Sequence, residues 1–180
     1  MPKFVALLRG INVGRNKRVA IGDLREIVGG LGHAGVKTHL NSGNVAFTSE
    51  CENPHQLARE IEQALSEKLG MNVRCVVRTG AELRAVIDAN PLIEVGTDGS
   101  RMLALFLSEQ PDAATLAAHD SSMLGPEEIR VGDRTVYQWC PNGSLAAPDV
   151  SAFVEKHWKV AVTARNWNTV TRLGALLQQA

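Results

Sequence analysis

Two stretches of the chain concentrate side chains that hold anions. LLRGINVGRNKR, residues 7–18, carries Arg9, Arg15, Lys17 and Arg18 with no acid, spaced by Gly10 and Gly14 and joined by the amide of Asn12. Glycines at 10 and 14 allow backbone N–H groups to turn inward as an anion nest, and the cations supply charge beside it. The loop is not a P-loop. That motif needs G-x-x-x-x-G-K-[ST], whereas three residues separate Gly10 from Gly14 and Arg15-Asn16-Lys17 follows. At the other end, RNWNTVTRLGALLQQA reads as a helix. On it Arg165, Asn168, Thr169 and Arg172 fall within about 100 degrees of one another, opposite Trp167, Val170, Leu173, Gly174 and Leu177. Two guanidinium groups with an amide and a hydroxyl between them suit phosphate or carboxylate oxygens. A solvated loop and a solvated helix face are the alternatives for the same residues.

Other chemistry is less well supported. HLNSGNV, residues 39–45, offers Asn41, Ser42 and Asn44 around Gly43, but a nucleophilic serine wants a G-x-S-x-G elbow or a base with an orienter, and neither is present. Ser42 and Asn44 are therefore read as turn-forming and hydrogen-bonding groups beside the anion site. No carboxylate pair stands out as acid and base, so no catalytic residue is assigned. Cys51, Cys75 and Cys140 form no C-x-x-C, and His33, His39, His55, His119 and His157 form no H-x-x-x-H, so no metal site is expected.

The formal net charge of zero conceals a segregation. Residues 1–22 hold Lys3, Arg9, Arg15, Lys17 and Arg18, and residues 156–180 hold Lys156, Lys159, Arg165 and Arg172, without one acid in either stretch. All 19 carboxylates lie between Asp23 and Glu155. Such asymmetry marks an anionic partner or two solvated basic segments meeting an acidic body. With 180 residues, 44% hydrophobic and 21% charged, the chain has ordinary globular composition and can bury a core. No apolar run approaches the roughly 18 residues of a membrane span, and no leader pattern precedes the first strand; the expectation is a cytoplasmic protein with reduced thiols and no membrane association.

The elements that must position these residues follow from periodicity. KFVALLR (3–9) reads as a strand, IGDLREIVGGLG (21–32) as a helix, VKTHLN (36–41) and NVAFTS (44–49) as a hairpin, PHQLAREIEQALSEKLG (54–70) as a long helix, and NVRCVVR (72–78) as a strand. A helix over 79–90 and the segment EVGTDGS (94–100) link this to a restart: strand 101–108, helix 111–120, a hairpin of 127–131 with 134–140 around a type II′ turn at Gly132-Asp133, helix 151–158 and strand 159–164. The fold class is α+β, with two tandem ferredoxin-like β-α-β-β-α-β units. The first covers 1–79, a helix and linker 80–100, and the second with the extra C-terminal helix 101–180. Phe4, Ala6 and Leu8 point one way from the first strand and Val5 and Leu7 the other, which predicts that both faces of its sheet are covered.

LLRGINVG (7–14), SGNVAF (42–47), NPL (90–92), FL (106–107) and TARNWNTVTRL (163–173) resemble the signatures of the bacterial domain-of-unknown-function 1697 family, from end to end of the chain. His39, Asn41 and Arg15 stand where that family is expected to have Tyr, Gln, and Gly or Lys. The resemblance implies a bacterial protein with tandem ferredoxin-like units and carries over no activity. The expected function is binding of a phosphate-bearing small molecule or nucleotide through Arg9, Asn12, Arg15 and Lys17, with Ser42 and Asn44 alongside, and through Arg165, Asn168, Thr169 and Arg172. One alternative is a nucleic-acid-binding module, which the eight aromatics and the lack of a stacking cluster disfavour. Another is a structural or oligomerising protein whose basic ends meet the acidic middle of a second copy. The sequence specifies no cofactor, reaction or oligomeric state.

Overall fold

Eight strands and six α-helices among the described residues place the two basic stretches in different parts of the chain. The computed structural model describes residues 1–13, 15 and 17–179, so that Gly14, Asn16 and Ala180 lie outside the described residues. The chain divides into two units, Met1–Arg84 with Leu173–Ala180, and Ala85–Arg172.

In the first unit β1 (Lys3–Leu8), α1 (Ile21–Gly30), β2 (Ala34–His39), β3 (Asn44–Thr48), α2 (Pro54–Leu69) and β4 (Cys75–Thr79) follow one another. The strands form an antiparallel sheet in the order β2-β3-β1-β4. Strand alternation sends Phe4, Ala6 and Leu8 into one core with Leu24, Ile27, Leu57, Ile61 and Leu65. Each large aliphatic side chain buried there contributes about 1.5–3 kcal/mol. Val5 and Leu7, facing the other way, are also fully buried, as the unbroken apolar run predicts. Local signals set the bounds of α2. Asn53 Oδ1 accepts from the N–H groups of His55 and Gln56, Pro54 opens the first turn, and Gly70 in the left-handed region ends it by donating to Ser66 O.

In the second unit β5 (Met102–Leu107), α4 (Ala113–Ala118), β6 (Ile129–Gly132), β7 (Thr135–Trp139), α5 (Val150–Phe153) and β8 (Val162–Asn166) follow one another, and the strands form an antiparallel sheet ordered β6-β7-β5-β8 with its own core. A π-helical turn, Val154–Trp158, continues α5. Two helices divide between units: α3 (Gly80–Asp88) begins in the first and ends in the second, and α6 (Trp167–Gln178) does the reverse. The chain is thus a mixed α/β protein with two four-stranded antiparallel sheets and six α-helices among the described residues. None of those helices is long and apolar enough to cross a membrane.

Two expectations are corrected. The last strand extends to Asn166, taking Arg165 and Asn166 out of the predicted helix. Leu103 pairs with Asn166, whose side-chain Oδ1 then accepts from Thr169 N–H and starts α6. The second hairpin does not turn at Gly132-Asp133. Gly132 pairs with Thr135, leaving Asp133 and Arg134 as the turn, with Arg134 at φ +47°. Glycine at 132 instead clears the Tyr137 ring, since a Cβ there would lie 3.0 Å from Tyr137 Cε2.

Candidate functional site

The first basic loop is rooted in backbone bonds. As the chain leaves β1, Leu8 N–H donates to Gly43 O at 2.9 Å and Arg9 N–H to Arg74 O at 2.9 Å. Gly10, Asn12 and Lys17 then adopt left-handed φ of +67°, +54° and +48°. Asn12 N–H donates to Lys17 O at 3.0 Å, closing the loop on itself. The Asn12 side chain acts as a strand partner for Val19. Its Oδ1 accepts from Val19 N–H at 2.8 Å and its Nδ2 donates to Val19 O at 2.9 Å and to Asn41 O at 2.7 Å. Ile11 and Val19, both buried, anchor the two ends of the loop in the core.

That frame carries the cations outward. Arg15, Lys17 and Arg18 are exposed and Arg9 is half-buried. Lys17 Nζ donates to Asn72 O at 2.8 Å. Arg15 and Arg18 make no hydrogen bond or ion pair among the described residues. The nest expected at Gly10 and Gly14 has its second glycine, with Asn16, outside the described residues.

Ser42 and Asn44 lie next to this loop, in the turn that Asn12 grips. Asn44 is fully buried and its Nδ2 donates to His39 O at 2.7 Å and to Ser42 Oγ at 3.0 Å, while Ser42 is exposed. Gly43, at φ +86°, is required by sterics. A Cβ there would stand 2.8 Å from Ile11 Cδ1 and 2.9 Å from Leu8 Cβ. The structure thus brings Arg9, Asn12, Lys17, Ser42 and Asn44 into one locality, with Asn12 and Asn44 holding backbone.

The C-terminal candidates belong to the second unit and do not share a face. Arg165, on β8, is buried, and its Nη1 donates to Thr163 Oγ1 at 2.8 Å and to Ala164 O at 2.8 Å. Thr169 is buried, while Asn168 and Arg172 are exposed. The helical projection fails because Arg165 follows strand alternation, which sets it on the face of Thr163 two residues earlier. The packed face was read correctly: Trp167, Val170, Leu173 and Leu177 are buried.

Sequence reasoning missed an arginine equivalent to Arg165. Arg78 is buried in β4 and pairs with Val5, the third residue of β1, as Arg165 pairs with Ala104, the third of β5. Both Nη1 groups donate to the preceding carbonyl, Val77 O and Ala164 O. Each arginine precedes a capping residue. Thr79 Oγ1 accepts from Glu82 N–H to start α3, as Asn166 does for α6. The sequence signal was an arginine between an apolar strand and a capping residue.

Residues 1–137 match the family model described as protein of unknown function (DUF1697). The chain belongs to the DUF1697 family. Among solved structures, this DUF1697 chain is similar to the conserved bacterial protein SP0830 from Streptococcus pneumoniae, at 24% identity over 99% of each chain with a TM-score of 0.72. At that identity the likeness establishes a shared fold. No curated protein matches the chain.

Proposed function

We propose that the loop after β1 is the anion-binding element of this DUF1697 protein and that its ligand is a phosphate-bearing small molecule or nucleotide. The observation that carries the reading is the exposure of Arg15 and Arg18, without partners among the described residues, on a loop whose ends Asn12 ties together through Val19. Tying the ends of a loop lowers the ordering cost of binding, and guanidinium groups match phosphate oxygens in pairs. Arg9 and Lys17 add charge, and Asn168 and Arg172 are the accessible donors of the C-terminal stretch. Arg165 and Thr169 support the scaffold in this reading.

Each sheet, taken with the helices between its strands, fits the split βαβ arrangement of a ferredoxin-like unit, because a central pair of strands is flanked by the second and fourth. A bacterial, cytoplasmic setting is part of the proposal. The three cysteines are free, and the structural relative is a bacterial protein.

The test pairs native mass spectrometry of freshly purified protein with titrations of phosphate, nucleotide and single-stranded RNA into the parent chain and into Arg15→Gln/Arg18→Gln. Nucleotide is expected to raise the melting temperature of the parent, and the variant to bind about three- to thirtyfold more weakly, given up to about 1 kcal/mol for each of the two exposed ion pairs. Steep salt dependence with RNA and no response to nucleotide would favour the nucleic-acid reading. Equal nucleotide affinity in parent and variant would remove the loop from the site.

A further inference from the structure

A second site, of opposite charge preference, lies entirely within the second unit. A cleft of about 260 Å³ opens between the turn before β6, the end of β7 and the 141–148 segment. Its floor is fixed by backbone. Gly125 O accepts from Glu128 N–H at 3.1 Å and from Ile129 N–H at 2.9 Å, and Trp139 N–H donates to Glu128 O at 2.8 Å, which holds Glu128 and Trp139 side by side. The far wall is tied back by Gln138, a buried side chain whose Nε2 donates to Pro148 O at 2.9 Å. Gly143, at φ +89°, donates to Cys140 O at 3.0 Å and turns the wall. The Trp139 ring is braced from behind. A Cβ at Gly96 would come within 2.9 Å of Trp139 Cε3.

Chemistry selects the ligand. Of the residues lining the cleft, Glu128 alone is charged. Its carboxylate makes no hydrogen bond or ion pair among the described residues, and the Nη1 of nearby Arg130 is engaged by Pro126 O and Ile129 O. Trp139, half-buried, likewise has no hydrogen-bond partner for its indole N–H among the described residues. The rest of the lining is largely aliphatic, including Leu124, Ile129, Pro141 and Pro148. An anion would meet Glu128, and a neutral apolar molecule would desolvate that carboxylate without compensation. A cation with apolar substituents satisfies both walls, ion-pairing with Glu128 and stacking on the indole face. The volume, at the low end for ligand pockets, restricts it to a small molecule.

We infer that this cleft binds a small organic cation, an alkylated ammonium seated between Glu128 and Trp139. The site is independent of the basic loop and survives the failure of the anion-binding reading. The experiment titrates the full chain with choline and, separately, with 3,3-dimethylbutan-1-ol, its uncharged isostere, following amide and indole N–H signals by NMR over a millimolar range. Choline is expected to shift the Trp139 indole and the Gly125 and Gly143 amides saturably, and the isostere to bind roughly tenfold more weakly. Glu128→Gln should reduce that difference to the smaller part contributed by the indole face. Equal affinity for the two compounds, no saturable choline shift, or charge discrimination undiminished in Glu128→Gln would each overturn the proposal.

Discussion

Replacing Asn12 by alanine tests whether this side chain builds the loop. The substitution deletes both hydrogen bonds to Val19, at 2.8 and 2.9 Å, and the donation to Asn41 O at 2.7 Å. The Val19 pair is partly buried, and each bond is worth about 1 kcal/mol; the exposed bond to Asn41 O contributes about half that. Alanine at φ +54° adds about 1 kcal/mol, because a Cβ is disfavoured in the left-handed region where asparagine is tolerated. The expected loss is about 3–4 kcal/mol for Asn12→Ala and about 1 kcal/mol less for Asn12→Gly, which keeps the conformation but not the bonds. Part of the loss is local. Ile11 and Val19 stay anchored in the core, so the Val19 amide should exchange with solvent faster than the loss in global stability alone predicts. Native-state hydrogen exchange with denaturant titration separates the two components. A Val19 amide that keeps its protection in Asn12→Ala, with stability within about 0.5 kcal/mol of the parent, would refute the clasp.

Three further outcomes follow from the second unit. Tyr137, the single tyrosine of the chain, donates to Val86 O at 2.7 Å, and burial, then the charge of Asp133, pushes its pKa up to about 12. The stability this contributes is complete below the unfolded value near 10 and is lost as pH rises from 10 through 12, roughly 2–3 kcal/mol, readable as phenolate absorbance coinciding with unfolding. Trp167→Ala should cost about 3–5 kcal/mol from its buried position near Tyr137, and Arg165→Ala about 2–3 kcal/mol through the orphaned Thr163 Oγ1 and Ala164 O. A neutral result for Arg165→Ala in denaturant titration would return Arg165 to a ligand-facing role. His157 stacks on His119 at 4.4 Å, and desolvation, then the charges of His119 and Lys156, lower its pKa. A lowered histidine pKa contributes stability that is complete above the unfolded value near 6.5 and fades as pH falls below it, so His157→Gln should flatten the acid limb of the stability curve.

The order of strands and helices was legible because unbroken apolar runs and period-3.6 apolar patterns are long here, as in KFVALL and PHQLAREIEQAL. Boundaries were less legible where two rules compete. Residues 165–177 are polar and apolar in a pattern that satisfies a helix projection, and only the pairing of Ala104 with Arg165 and of Leu103 with Asn166 decides that Arg165 is strand. The cations of the first loop were visible as residue types, but the two hydrogen bonds between Asn12 and Val19 span a loop with no periodicity and so left no pattern. The Glu128–Trp139 cleft was invisible for a similar reason. Its residues come from three segments that only hairpin register brings together.

The internal correspondence of the two units separates scaffold from candidate function. Leu8 N–H bonds to the hairpin turn at Gly43 O, and Leu107 N–H does so at Arg134 O; Arg9 N–H bonds ahead of β4 at Arg74 O, and Ser108 N–H ahead of β8 at Ala161 O. The side-chain amide that ties loop to turn is also duplicated in kind. Asn12 Nδ2 reaches Asn41 O, and Gln110 Oε1 accepts from Arg134 N–H at 2.6 Å. Devices that occur in both units serve what both need, a fixed exit from the first strand. The charges are not duplicated. Where the first unit places Arg15, Lys17 and Arg18 before α1, the second runs only from Ser108 to α4 and places Glu109 and Asp112 there, and Asp112 serves as the cap of α4. The scaffold therefore does not require the cations. Exposed side chains without partners contribute within about 0.5 kcal/mol, so Arg15→Gln/Arg18→Gln should keep the stability of the parent while Asn12→Ala does not. A double variant that melted as early as Asn12→Ala would mean that Arg15 and Arg18 hold the fold together, and the anion-binding role would lose its basis.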